Sequence, residues 1–342
     1  MRSKLVKAAV LVLAAILVAA AGCGSKPAPQ SSAPPAGQEP AQQQEPIKLG
    51  IIQIVEHPSL DQARQGFLDV LAEHGYKDGE KLAVDYQNAQ GDMTIANTIA
   101  KKFVSDGKDL VLAIATPTAQ AMANATKDIP ILITAVTDPV AAGLVQSLEK
   151  PNTNVTGTTD MNPVREQLAL FKDLAPQAKK IGILYNSSEV NSRVQVDIAK
   201  KAAPELGFEI VEGVVTNSSE VLQAARTLAD KVDGLYVPTD NTVVSALESV
   251  IKVAEEKDLP LVVGEGDSVK RGGLATLGID YYKLGRQTGE MALRILEQGA
   301  KPQDMPVEAQ KEYQLILNKK AAANMGVTLP ESLLSRAAQV YE

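Results

Sequence analysis

Short runs rich in Ile, Val and Leu alternate along this chain with longer stretches whose apolar residues recur every three or four positions. Compact apolar runs bounded by polar clusters read as strands buried on both faces, and the longer stretches as helices packed over them, the rhythm of βαβ units and parallel sheets. Candidate strands are Lys48–Val55, Leu82–Asn88, Leu110–Thr116, Ile129–Val136, Val155–Thr159, Lys180–Asn186, Phe208–Thr216, Gly234–Thr239, Leu259–Gly264, Leu274–Ile279 and Tyr313–Leu317. Helices fill nearly every gap. Between Leu60 and Leu71 the apolar positions 60, 63, 67, 68, 70 and 71 form one stripe, which Gly75 ends. The second half echoes the first, each with a strand running into a Thr (Thr116, Thr239) and then a Pro-marked strand (Pro130, Pro260). The fold class expected is α/β, with two doubly wound parallel-sheet lobes divided near Asp160.

The first residues follow another pattern. Arg2, Lys4 and Lys7 precede an apolar stretch from Ala8 to Val18 and the small residues Ala19 to Gly22, the three parts of an export signal. The stretch is too short to span a bilayer. Ala20-Ala21-Gly22-Cys23 resembles the lipobox of bacterial lipoproteins, which implies that Cys23 carries lipid; a secretory signal with an incidental cysteine is the alternative. Residues 24–46 contain six prolines and little that is apolar, a composition suited to a flexible tether. The expected organisation is a signal peptide at 1–22, a tether at 23–46, a first lobe from 47–158 plus 281–342, and a second lobe from 159–280.

Charge narrows the partners. Without the three basic signal residues, 31 of the 34 Lys and Arg remain against 41 Asp and Glu. An acidic body is a poor partner for nucleic acid or an anionic membrane. With no Trp and four Phe, a stacking platform for single strands is not expected either. Cys23 is the only cysteine, so the body holds together without disulfides.

A doubly wound sheet binds ligands at the carboxyl ends of its strands, and those ends are polar here. Gln53, His57, Thr116, Thr118, Thr137 and Asp138 mark them in the first half; Ser187, Ser188, Asn191, Asp240 and Asp280 mark them in the second. Two such rims face to face would form a cleft. At Thr116-Pro117-Thr118 a strand passes straight into a helix, and free N–H groups with two hydroxyls at a helix start favour an anion such as a carboxylate. Asp240 and Asp280 could meet an ammonium group. Helix capping is the competing reading for Thr116, Asp138 and Asp240. The run from Tyr185 to Ser192 is denser in donors and acceptors than a turn requires.

Nothing marks catalysis. A Gly-x-Ser-x-Gly elbow, a His-Glu-x-x-His pair and a Lys-bearing phosphate loop are all missing from the sequence. His57 and His74, the two histidines, lie apart and suggest no metal site. No cofactor is expected. A surface hydrolase working through paired carboxylates stays open as the alternative class.

From Lys48 to about Gly326 the residues resemble the substrate-binding lipoproteins of bacterial ABC importers, in the tryptophan/tyrosine-type group of the type I periplasmic-binding-protein fold. The resemblance is carried by Gly50-Ile51-Ile52-Gln53 with His57-Pro58-Ser59-Leu60-Asp61, by Ala113 to Gln120, by Thr137-Asp138-Pro139-Val140, by Asn154 to Gly157, by Tyr185 to Glu189, by Val237 to Thr242 and by Gly272 to Ala275. It implies two lobes joined by three crossings, closure around a small solute, and delivery to membrane permease subunits. It further implies an aromatic amino acid (Trp, Tyr or Phe) as ligand, with the Thr116–Thr118 helix start on the α-carboxylate and Asp240 on the α-ammonium. Gln53, His57, Ser187, Ser188 and Asp280 would supply the remaining polar contacts. A branched-chain amino acid, another small metabolite, or a sensor kinase in place of a permease would suit the same scaffold. The body is expected to act as a monomer outside the cytoplasm, held to the membrane through Cys23.

Overall fold

The structure, a computed structural model, describes residues 45–342. The signal peptide, Cys23 and nearly all of the tether lie outside the described residues.

The chain first lays down β1 (Ile47–Gln53), α1 (Pro58–Glu73), β2 (Leu82–Asn88), α2 (Met93–Ser105), β3 (Leu110–Ile114), α3 (Thr116–Ala125), β4 (Ile131–Val136) and β5 (Val155–Thr159). It then crosses to a second lobe: α4 (Val164–Leu174), β6 (Lys180–Asn186), α5 (Val190–Ala202), β7 (Glu209–Val215), α6 (Val221–Ala229), β8 (Gly234–Val237), α7 (Asn241–Ser245), α8 (Leu247–Glu256), β9 (Leu261–Val263), α9 (Gly266–Arg271) and β10 (Ala275–Gly278). The long α10 (Tyr281–Gln298) and β11 (Glu308–Ala309) return to the first lobe. The chain ends in the second with β12 (Gln314–Asn318), α11 (Lys319–Asn324), α12 (Glu331–Leu334) and β13 (Gln339–Tyr341).

The internal echo has a structural basis. One sheet runs β11-β5-β4-β3-β1-β2 and the other β13-β12-β10-β9-β8-β6-β7, so the first five strands of each lobe pair in the same 2-1-3-4-5 order. All pairings are parallel except β10 with β12, where Ala275 faces Leu317 and Gly278 faces Gln314. Each lobe has its own apolar core. In the first, strand residues such as Leu49, Ile51, Leu112 and Ile133 pack under Phe67, Phe103 and Leu284; in the second, Ile183, Leu235 and Val262 pack with Phe171, Leu228 and Leu317. Helices α1 and α10 cross closely because Gly66 and Gly285 carry no side chain there. A Cβ on Gly66 would collide with the Tyr282 carbonyl, and one on Gly285 with that of Ala63.

The expected division needs one correction. Residues 281–309 do join the first lobe, but 314–341 complete the second. Leu315, Ile316 and Leu317 are buried in its core with Ala321, Ala322, Met325 and Leu333, and β12 supplies a neighbour that β10 would otherwise lack. β11 and β13, two and three residues long, have no counterpart among the expected strands. Between β4 and β5 there is no α-helix: residues after Asp138 form hydrogen-bonded turns, with Ala142 N–H donating to the Asp138 carbonyl at 2.9 Å. The lobes are joined at 160–163, 279–280 and 310–313.

Candidate ligand-binding site

In a 2-1-3-4-5 sheet the strand order reverses between the first and third strands, and the crevice outside their carboxyl ends is where ligands bind. Here that crevice lies past β1 and β3 in one lobe and past β6 and β8 in the other, and the two face each other across a small cavity of about 20 Å³. The first lobe contributes His57, Leu60, Ala135 and Thr137; the second, Asn191, Thr239, Asp240, Asn241, Val244 and Glu265; the hinge, Asp160 and Tyr281.

Backbone strain marks the first-lobe side. Ala115 (φ 79°) and Ala135 (φ 55°) hold the left-handed conformation that costs a Cβ-bearing residue energy. Ala115 turns β3 directly into α3. Ala135 lies where the β4–β5 register shifts, between Ile133 and Val136. Strain of this kind persists where the surrounding fold fixes it, and it commonly sits at binding sites.

The cavity is acidic. Asp160, Asp240 and Glu265 line it, all buried, and no Lys or Arg lines it. Asp240 is tightly held: Oδ2 accepts from Asn186 N–H and Ser192 Oγ, both at 2.6 Å, while Oδ1 accepts from Val243 N–H at 2.7 Å and so caps α7. Burial, and then the neighbouring Glu189, push its carboxyl up to about 7. Glu265 caps α9, its oxygens accepting from the N–H and hydroxyl of Ser268. Asp160 accepts from Thr137 Oγ1 at 3.1 Å and Tyr281 Oη at 2.5 Å. Burial raises the carboxyls of Asp160 and Glu265 above their ordinary range. His57 shifts the other way, to about 3, chiefly through burial and then the charge of Arg271, so its ring is neutral at physiological pH.

Behind the second-lobe wall Glu189 organises the rim. Its carboxylate accepts from Asn191 Nδ2, from the backbone and side-chain nitrogens of Asn241, and from the N–H and hydroxyl of Thr242. Other polar atoms remain unpaired. Among the described residues, seven buried side-chain polar atoms have no hydrogen-bond partner, and three of them line the cavity: His57 Nδ1, Asn191 Oδ1 and Thr239 Oγ1. Ser59 Oγ and Thr116 Oγ1 stand in the first turns of α1 and α3, and Asn162 Oδ1 at the first hinge crossing. Buried polar groups are normally paired, so this concentration marks a surface made to be completed by something polar.

Of the residues expected at the site, His57, Thr137, Asn191 and Asp240 come together in the cavity wall. Thr116 is buried beside it. Others are used elsewhere. Gln53 is taken up within its own lobe, its amide donating to Val55 O and Asp61 Oδ1 at 2.9 Å and its oxygen accepting from Arg64. The Thr118 hydroxyl turns back on the Ile114 and Ala115 carbonyls at 2.6 and 3.0 Å. Asp138 accepts from Val140 and Ala141 N–H in its turn. Asp280 caps α10 through Lys283 N–H at 3.0 Å. Ser187 and Ser188 stay outside the cavity, Ser188 on a second, open groove of about 600 Å³ that also runs past Val55, Gln90, Pro117 and Asn217. Asp160, Glu265 and Tyr281 are wall residues that the expected set omits. The signal in sequence is position alone: Asp160 and Glu265 are polar residues just past a strand, and Tyr281 opens a helix.

Comparison with known proteins agrees with this architecture. Residues 48–341 match the family described as ABC transporter substrate binding protein. A tyrosine-binding protein of Clostridioides difficile is 54% identical over 271 residues, covering 79% of this chain and 78% of that one. The structure of a Streptococcus pneumoniae ABC domain in complex with L-Trp superposes with a TM-score of 0.83 at 42% identity, covering 86% of this chain and all of that one. A ligand-free, open structure of a Clostridium difficile substrate-binding protein with adhesive properties gives 0.65 at 51% identity, covering 86% of this chain and 99% of that one. The lower score goes with the higher identity, and that structure is the open, ligand-free one. A glucose-galactose binding protein of Geobacillus stearothermophilus, at 16% identity and a TM-score of 0.58, shares the fold alone. Among the described residues no helix is long and apolar enough to cross a membrane; substrate-binding proteins of ABC importers work outside the cytoplasm and hand their solute to a membrane permease. The chain belongs to the ABC transporter substrate-binding protein family.

Proposed function

We propose that this protein captures an aromatic L-amino acid, tyrosine before tryptophan, in the interlobe cavity and releases it unchanged to its permease. The observation that carries this reading is the clustering of unpaired buried polar atoms around a cavity with three carboxylates and no basic residue. An ammonium group supplies the missing positive charge, and a carboxylate and a phenol or indole N–H supply donors and acceptors for His57, Asn191, Thr239 and Thr116. Tyr281, Leu60, Val244 and Ala135 provide flat and apolar surface for a ring. The first turn of α3, with its free N–H groups and the Thr116 hydroxyl, faces the carboxylate. Two relatives at 54% and 42% identity are a tyrosine-binding protein and a domain in complex with L-Trp. Release without chemistry fits a wall whose one histidine is neutral and has no nucleophile beside it. We further propose that the body is a monomer tethered to the membrane through a lipidated Cys23.

The test is a thermal-shift screen of residues 47–342, unfolded and refolded to strip any bound solute, against all amino acids. A ligand that binds only the folded state raises the Tm with the logarithm of its excess. A shift for tyrosine, tryptophan or phenylalanine is expected; a refolded protein that responds to none of them refutes the aromatic assignment. For the anchor, Cys23→Ala should move the protein from the membrane to the soluble fraction, and retention on the membrane would refute lipidation.

A further inference from the structure

We infer that Asp160, at the first hinge crossing, is the residue that binds the ligand's ammonium group, in place of Asp240. The inference rests on the reading that the ligand is an amino acid and identifies which of the three wall carboxylates takes its positive end.

A carboxylate offers about four acceptor positions. Asp240 has committed three of them, two to backbone N–H groups, in bonds of 2.6 to 2.7 Å. Those bonds tie β6, α5 and α7 together, so turning Asp240 toward a ligand breaks the platform it supports. Glu265 has both oxygens on Ser268 at the start of α9. Asp160 alone accepts only from two side-chain hydroxyls, of Thr137 and Tyr281. Two of its acceptor positions are taken by these hydroxyls and two stay open, against one on Asp240. Asp160 is also fixed in space, its N–H donating to the Val136 carbonyl at 3.2 Å. Burial keeps it short of positive charge: it is 3% exposed in a wall without Lys or Arg.

Its place in the chain gives the contact a second consequence. Asp160 follows β5 at the first crossing, and Tyr281 opens α10 just past the second. An ammonium seated on Asp160 touches the pivot, while the remainder of the same ligand reaches Asn191 and Thr239 on the far rim. The ligand thus bridges hinge and second lobe, and it favours the closed form by touching groups that only closure brings together.

The experiment compares two ligands on the full-length chain in detergent: L-tyrosine and 3-(4-hydroxyphenyl)propanoic acid, which lacks the amine. Wild type should bind tyrosine about 30-fold or more tightly than the analogue, the scale of a buried charge pair. Asp160→Asn should abolish that preference by lowering tyrosine affinity alone, whereas Asp240→Asn and Glu265→Gln should keep it. A preference that survives in Asp160→Asn, or that disappears in Asp240→Asn with the fold intact, overturns the inference and leaves the proposed function standing. Wild type that binds no aromatic amino acid overturns both. If Asp160→Asn does not fold, a crystal structure of wild type with L-tyrosine decides the matter: the ammonium nitrogen within hydrogen-bond distance of Asp160 supports the assignment, and its contact with Asp240 or Glu265 instead refutes it.

Discussion

The two rims that close over the cavity come from sheets of the same strand order, yet they hold their polar groups differently. The second-lobe rim is a dense network: Glu189 gathers Asn191, Asn241 and Thr242, and Asp240 gathers Asn186, Ser192 and Val243, while Asn191 Oδ1 and Thr239 Oγ1 stay open. The first-lobe rim is sparse, with a neutral His57, an unpaired Thr116 hydroxyl and two strained alanines. One rim is built on a hydrogen-bond network and offers a partner two open atoms at its edge; the other has little network behind its open groups. Substitutions of the network carboxylates in the second rim should therefore be felt mainly in stability, and those in the first rim mainly in binding.

Glu189→Gln tests the dense rim most severely. It sets an amide against donors that now face a carboxylate, and leaving buried donors unpaired costs on the order of 3 kcal/mol or more in the free energy of unfolding by urea. A loss under about 1 kcal/mol would mean that the network is looser than its geometry.

The second test sets Asp240 against His57 by pH. Asp240, raised from 3.8 to about 7, lets the folded chain keep a proton that the unfolded chain releases. Its contribution is present in full below about pH 4 and is lost as pH rises through about 7. His57, lowered from 6.5 to about 3, contributes above about pH 6.5 and loses that contribution as pH falls through about 3. Relative to wild type, Asp240→Asn should remove a decline in stability between pH 4 and 7, and His57→Asn should remove a decline on the acid side. Unfolding free energies measured across this range give both slopes, and equal slopes in the two variants would break the contrast.

The smallest expected effect separates two neighbouring hydroxyls. Thr118→Val loses two bonds to backbone carbonyls and should cost about 1 kcal/mol of stability with binding unchanged. Thr116→Val removes a hydroxyl with no protein partner, so stability should hold within about 0.5 kcal/mol while ligand affinity falls. Isothermal titration beside thermal melts distinguishes them.

Much of this architecture was legible in the sequence because parallel strands buried on both faces leave compact apolar runs that few other structures require. The repeated strand order was visible as an echo for the same reason. The fate of the last residues was not: Tyr313–Leu317 reads as a strand, but nothing in its residues says that it pairs antiparallel with β10 and not with the first sheet. The rims were legible as polar strand ends. Which side chains enter the cavity depends on competition that spacing does not encode: Arg64 and Asp61 on α1 capture Gln53, the local backbone captures Thr118, and Asp160 with Tyr281 meet only because two hinge crossings run side by side.

The return of the chain to the second lobe bears on how such a protein is made. Leu315 to Leu317 and Leu333 belong to a core whose other residues begin at Val164, and α10 packs on α1 from more than 200 positions away. A chain emerging amino-terminus first therefore has neither core complete until its final strands are released. Contacts between residues this far apart in sequence slow folding, so both cores form late relative to synthesis.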